Sequence, residues 1–192
     1  MNKIVLFILF SIIIISCQTN PYLELERNEL ASGERYDSLF LGVKFGMTSK
    51  DFYAHCWDLN KRQLITQGPS NNSVRYYLPT ESVGQKIEML FYPVFDNDIV
   101  YEVNSTFSYT GWAPWNKETD SEYLIEEVRD ILSNWYSTKF FEIKNPKNNS
   151  ILYATVNGNR RIAITKVSER EVRARYTDLT VEKNNQKLEI LI

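Results

Sequence analysis

Between residues 48 and 107 the apolar pattern changes period once, and that change constrains the fold more than any other feature of the chain. Phe52, Cys56 and Leu59 recur at i, i+4 and i+7, the stripe of a helix buried along one side. From Val74 onward the spacing drops to two. Val74, Tyr76 and Leu78 alternate with Arg75 and Tyr77, then Ile87, Met89 and Phe91 alternate with Glu88, Leu90 and Tyr92. Ile99, Tyr101, Val103 and Phe107 form a third run, with Glu102, Asn104 and Thr106 on its other face. Such alternation belongs to antiparallel strands packed on one side and wet on the other. Thr48, three residues before Asp51, supplies a helix N-cap in a variant of the capping box, and Asp96-Asn97-Asp98 marks a hairpin turn.

The same order returns in the second half. Thr119-Asp120-Ser121-Glu122 reads as a capping box, followed by Leu124, Val128, Ile131 and Trp135 on one helical stripe. Ile151 to Val156 and Arg161 to Val167 read as strands about the Asn157-Gly158 hairpin signal, and Val172, Ala174 and Tyr176 alternate with Arg173 and Arg175 in a further strand. The expected fold class is α+β, a helix followed by an antiparallel β-meander, present twice. The two units span 39–110 and 119–181, joined over 111–118 by an aromatic connector that contains Trp112 and Trp115. Residues 182–192 form a tail with no assigned state.

The start of the chain has a different character. Asn2 and Lys3 precede Ile4 to Ile15, an apolar run broken only by Ser11. The run is shorter than the roughly 20 residues of a spanning helix and suits the core of a signal peptide. Ile14-Ile15-Ser16-Cys17 resembles the bacterial lipobox. That resemblance implies cleavage after Ser16, removal of residues 1–16, and acylation of Cys17 on its sulfur and its new amino terminus. Several acyl chains, each contributing about 0.8 kcal/mol per buried CH₂, anchor stably. Gln18 stands second in the mature chain where an inner-membrane retention signal would carry Asp; the lipoprotein resemblance thus implies the outer membrane, facing the periplasm. Residues 17–38 read as an acidic tether with a short helix through Leu23 to Leu30. With Cys17 lipidated, Cys56 is the remaining thiol, so the core forms without an intramolecular disulfide.

Val43-Lys44-Phe45-Gly46-Met47-Thr48-Ser49-Lys50-Asp51-Phe52, with the strands Val74 to Leu78 and Gln85 to Phe107, resembles the SmpA/OmlA family of BamE-like outer-membrane-assembly lipoproteins. The resemblance implies a lipid anchor, helices packed on a three-stranded antiparallel sheet, and protein binding without catalysis. The tandem helix-plus-sheet order is also similar to that of the secreted β-lactamase inhibitory protein, another binder.

Composition narrows the chemistry. A net charge of -2, from 22 basic and 24 acidic residues, lacks the electrostatic footprint of a nucleic-acid binder. One His and two Cys leave too little for a structural metal site, and no cofactor motif is present. His55 and Cys56 are adjacent, but neighbouring helical residues point about 100° apart and do not face each other as nucleophile and base. The pairs Asp96 with Asp98 and Glu126 with Glu127 read as a turn and a solvated helix side rather than as catalytic carboxylates. Two surfaces stand out for binding. Arg160, Arg161, Lys166, Arg170, Arg173 and Arg175 cluster against only Glu169 and Glu171, and Trp112 and Trp115 offer an aromatic platform. The candidate surface is therefore Trp112, Trp115, Arg160, Arg161, Arg173 and Arg175. The expected function is that of a non-enzymatic, lipid-anchored periplasmic protein binding an envelope protein; the alternative is a lipid-anchored glycan-binding protein or hydrolase.

Overall fold

Eight strands, each antiparallel to its neighbours, make one sheet in the computed structural model, which describes residues 20–69, 73–82, 84–145 and 149–181. Cys17, residues 1–16 and the tail 182–192 lie outside the described residues. In chain order the elements are α1 (Pro21–Ser32), α2 (Ser49–Lys61), β1 (Thr66–Gln67), β2 (Val74–Ser82), β3 (Gln85–Asp96) and β4 (Ile99–Tyr109). A 3₁₀ turn (Lys117–Thr119), α3 (Ser121–Tyr136), β5 (Phe141–Lys144), β6 (Ile151–Asn157), β7 (Arg160–Lys166) and β8 (Val172–Asp178) follow. The spatial order is β1-β2-β3-β4-β8-β7-β6-β5, so two four-stranded meanders meet where β4 pairs with β8. The fold is α+β with an antiparallel meander.

Register sorts the side chains. Met89 lies opposite Phe107, Val103 opposite Tyr176, and Ala174 opposite Ile164; partners directly opposite project from the same side of a sheet. These residues line an inner face covered by Leu124, Ile125, Val128 and Leu132 of α3, by Phe52 of α2, and by Phe40, Val43 and Phe45 of the intervening loop. One apolar cluster runs through both halves of the chain, so the segments 39–110 and 119–181 share a core. On the outer face, Ile143, Leu152, Ala154, Val156 and Ala163 form a second cluster beneath α1, closed by the fully buried Tyr22.

The local chemistry anticipated for the first hairpin and for α2 is present. Asn97 and Asp98 both hold positive φ, 47° and 68°, between the paired Asp96 and Ile99, as a two-residue primed turn requires. The Thr48 hydroxyl caps α2 by accepting from the Asp51 backbone N–H at 3.1 Å.

Other expectations are corrected. The acidic tether over 17–38 is docked from residue 21 onward, because Tyr22 has an apolar pocket to fill and Glu29 accepts the Gly158 N–H at 2.6 Å. The capping box at Thr119 does not form: the 3₁₀ turn takes Thr119, whose hydroxyl donates to the Asn116 carbonyl, and leaves Asp120 at the N-cap position without a side-chain cap bond. The buried stripe of α3 consists of Leu124, Ile125, Val128 and Leu132; Ile131 is half-buried and Trp135 exposed. A helix lying over a sheet needs a wider apolar arc than one residue per turn. Along β4, the shared face of Ile99, Tyr101, Val103 and Phe107 is broken by an irregularity opposite Val94 and Phe95, which puts Val100 inward instead. The β6–β7 loop is Gly158-Asn159, one residue later than the Asn157-Gly158 signal.

Candidate functional site

The open part of the outer face is built by β2, β3, β4 and β8. Alternation places Arg75 and Tyr77 of β2, Glu88 and Leu90 of β3, Glu102, Asn104 and Thr106 of β4, and Arg173 and Arg175 of β8 on it. α1 packs against β6, and among the described residues no helix covers this region. The charges are arranged in short pairs. Arg75 Nε lies 2.6 Å from Glu88 Oε2, and Arg175 Nε lies 4.0 Å from Glu102 Oε1, which also accepts from Asn104 Nδ2 at 2.9 Å. Arg173 is exposed between Thr106 and Thr165, and among the described residues it has no ion-pair partner. Tyr77 is exposed and Leu90 half-buried. The face thus sets one exposed tyrosine and one half-buried leucine among two ion pairs and the exposed Arg173.

Both ends of the sheet are blunted against strand addition. β1 contributes two residues, β2 carries Pro79 and a register shift between Tyr77 and Glu81, and β5 is four residues long with Glu142 and Lys144. Very short edges, proline, bulges and charges are the features that discourage edge-to-edge pairing.

The six predicted surface residues do not come together. Arg173 and Arg175 lie on the open face. Arg160 projects from the inner side and is 6% exposed; its guanidinium stacks 4.3 Å from the centre of the Tyr136 ring, and Nη1 donates to the Ser38 carbonyl at 2.7 Å. Burial lowers its pKa below the ordinary arginine value. Arg161 is 3% exposed, in register with Val156 and Thr177, and opposes the burial that pushes the Tyr22 phenol far up. Both arginines are therefore structural, which removes them from the binding surface. Alternation alone puts Arg160 and Arg161 on opposite faces. Of the aromatic pair, Trp115 is 86% exposed and Trp112 is half-buried.

An aromatic surface that the sequence did not single out lies on α2. Trp57, 63% exposed, and Tyr53 line a groove of about 280 Å³ with Cys56, Asn60, Ile65 and Val74. Lys61 lies over the Trp57 ring at 5.6 Å, and the Tyr53 and Tyr92 hydroxyls meet at 2.5 Å. Tyr53 and Trp57 are spaced i, i+4 on the side of α2 away from Phe52 and Leu59, and that spacing was the available signal.

The groups with reactive potential are held in structural contacts. His55 Nε2 lies 2.6 Å from the Leu41 carbonyl, and burial pushes the Cys56 thiol up to about 11. Glu126 and Glu127, far from being merely solvated, accept the Tyr153 and Tyr109 hydroxyls at 2.6 and 2.8 Å. Among the described residues no group of three or more His, Cys, Asp or Glu could hold a metal ion, and no helix is long and apolar enough to cross a membrane.

Fold and face together define an α+β protein with one eight-stranded antiparallel sheet, open over part of one side. Neither a protein family, nor a characterised protein, nor a solved structure matches the chain.

Proposed function

We propose that this chain is a non-enzymatic, lipid-anchored protein of the bacterial envelope, fixed through acylated Cys17 to the outer membrane, facing the periplasm, and binding another envelope protein. The anchor is supported by the charged start, the short apolar core and Ile14-Ile15-Ser16-Cys17. The single observation that carries the binding reading is the open outer face: Tyr77, Leu90, Arg173 and Arg175 are presented by strands whose edges are blunted. Recognition is then by side chains across the face, with Tyr and Arg as the residue types that most often dominate interfaces. The resemblance to SmpA/OmlA lipoproteins agrees with a binding role. We also read the helix-plus-meander unit as present twice, which the mirrored strand order about β4 and β8 supports.

The test places a photo-crosslinking side chain at Thr106 on the open face, and at Asn134 on α3 as a control, in the full chain in its native membranes. Adducts with one protein from position 106, absent from 134 and lost in Cys17→Ala, are expected. Adducts from neither position, or equally from both, would overturn the face as a binding site.

A second reading rests on Trp115. An indole this exposed is a ready stacking platform for a sugar ring, and quenching of Trp emission by envelope polysaccharide, abolished in Trp115→Ala, would favour glycan binding over protein binding.

A further inference from the structure

The leash between the acylation site and the folded body is short. Cys17 precedes Pro21, the first residue of α1, by four residues, which span at most about 14 Å even when fully extended. The polar headgroup region of one leaflet takes up about 5–8 Å of that reach.

α1 itself is fastened to the body at both ends. At its start the Tyr22 ring is sealed in the second apolar cluster of the sheet's outer face. Past its end, Arg35 pairs with the buried Asp178 at 2.8 Å, Tyr36 N–H donates to Asn159 Oδ1 at 2.7 Å, and Asn159 Nδ2 donates to Asp37 Oδ1 at 3.0 Å. The helix does not act as a swivel.

Its free side has a matching composition. Leu23, Arg27 and Leu30 fall at i, i+4 and i+7 and all three are exposed, Leu23 at 43% and Leu30 at 40%. Glu26 and Glu29 are turned to the body, accepting the Tyr22 hydroxyl and the Gly158 N–H, and Glu24 is the acidic residue left exposed. Two leucines with an arginine between them form a stripe suited to the boundary of headgroups and acyl chains, where apolar groups insert shallowly and cations meet phosphate.

We propose that α1 lies flat against the phospholipid surface of the leaflet that holds the anchor, with Leu23, Arg27 and Leu30 facing it, and so fixes the orientation of the whole sheet. This rests on the acylation of Cys17 advanced above. The body is held against the membrane by a docked helix and a leash of four residues, not suspended on a tether.

The test uses the full-length chain purified from membranes in a Cys56→Ala background, with Leu23→Cys, Leu30→Cys or Asn134→Cys labelled by an environment-sensitive fluorophore. Each is reconstituted in phosphatidylethanolamine–phosphatidylglycerol vesicles containing a lipid nitroxide near the headgroup. Positions 23 and 30 are expected to lose about half of their emission, as for groups lying about 5–10 Å into the interface, and position 134 to be unaffected. Quenching at 23 without 30 would overturn the flat orientation. Equal emission at all three positions in a protein whose intact mass carries the acyl chains would overturn membrane contact and leave the anchor standing. An intact mass without acyl chains would overturn the anchor itself, and this inference with it.

Discussion

Cys56 sits between Phe52 and Leu59 on the packed side of α2, half-buried against the main core. Burial disfavours its thiolate and pushes the pKa up to about 11. At pH 8 the thiolate fraction is therefore about two orders of magnitude below that of a free cysteine, and alkylation should be slower by at least that factor. Because the folded pKa is raised, the associated stability is fully present below the unfolded pKa near 8.5 and is lost as pH climbs toward 11. Rates of iodoacetamide labelling between pH 7 and 11 check this; labelling at pH 8 as fast as a free thiol would show the side chain to be open to solvent. The arginines illustrate what a sequence conceals at the same scale. Adjacency on a strand keeps Arg160 and Arg161 from sharing a face as Arg173 and Arg175 do, but nothing local shows that both are buried, since charge is read as exposure. Their burial depends on Tyr136, which supplies a ring face, on Ser38, which supplies a carbonyl, and on α1 above Arg161.

Elements were legible where the pattern was long and the turn chemistry local. α2 and β3 follow from their periods, β4 does so only beyond the irregularity that turns Val100 inward, and the first hairpin follows from two residues tolerant of positive φ. β5 was missed because Phe141–Lys144 is too short to display a period. The outer-face docking of α1 was equally hidden: a polar helix with one tyrosine inward does not advertise a partner surface 120 residues away in sequence. The crossing of that segment over the β6–β7 turn makes a sharp prediction at Gly158. Its φ is 51°, and a Cβ there would lie 2.3 Å from the Glu34 carbonyl. Gly158→Ala should cost about 2–3 kcal/mol, from left-handed strain and the displaced strap together. Urea midpoints give the cost, and hydrogen exchange should show residues 33–38 losing protection before the sheet does. An unchanged midpoint would mean that the strap does not hold the turn.

At the scale of the molecule, the β4–β8 pairing decides whether the two halves behave as one body. Ser105 is fully buried at this junction, opposite Phe91 on one side and Ala174 on the other. Ser105→Glu places a carboxylate in a core common to both halves, and should cost more than about 4 kcal/mol. The unaltered protein is expected to unfold in a single transition, with Trp fluorescence and far-ultraviolet circular dichroism coincident, and Ser105→Glu to lose structure in both halves together. Two separated transitions would show that the halves are independent. The open face was legible only in part for the same reason: alternation identified which side of each strand is wet, while the neighbour relation of β4 and β8 lies beyond any local pattern.

That same pairing has a temporal side. β8, the last described strand, must insert between β4 and β7 before the sheet is continuous, and α1, the first described helix, docks on β6. Neither end finds its seat until almost the whole chain is present, and contacts of such long sequence separation form slowly. Were the chain exported unfolded, as the function proposed above entails, this ordering would delay completion until translocation is nearly over, and the topology itself would protect against folding on the wrong side.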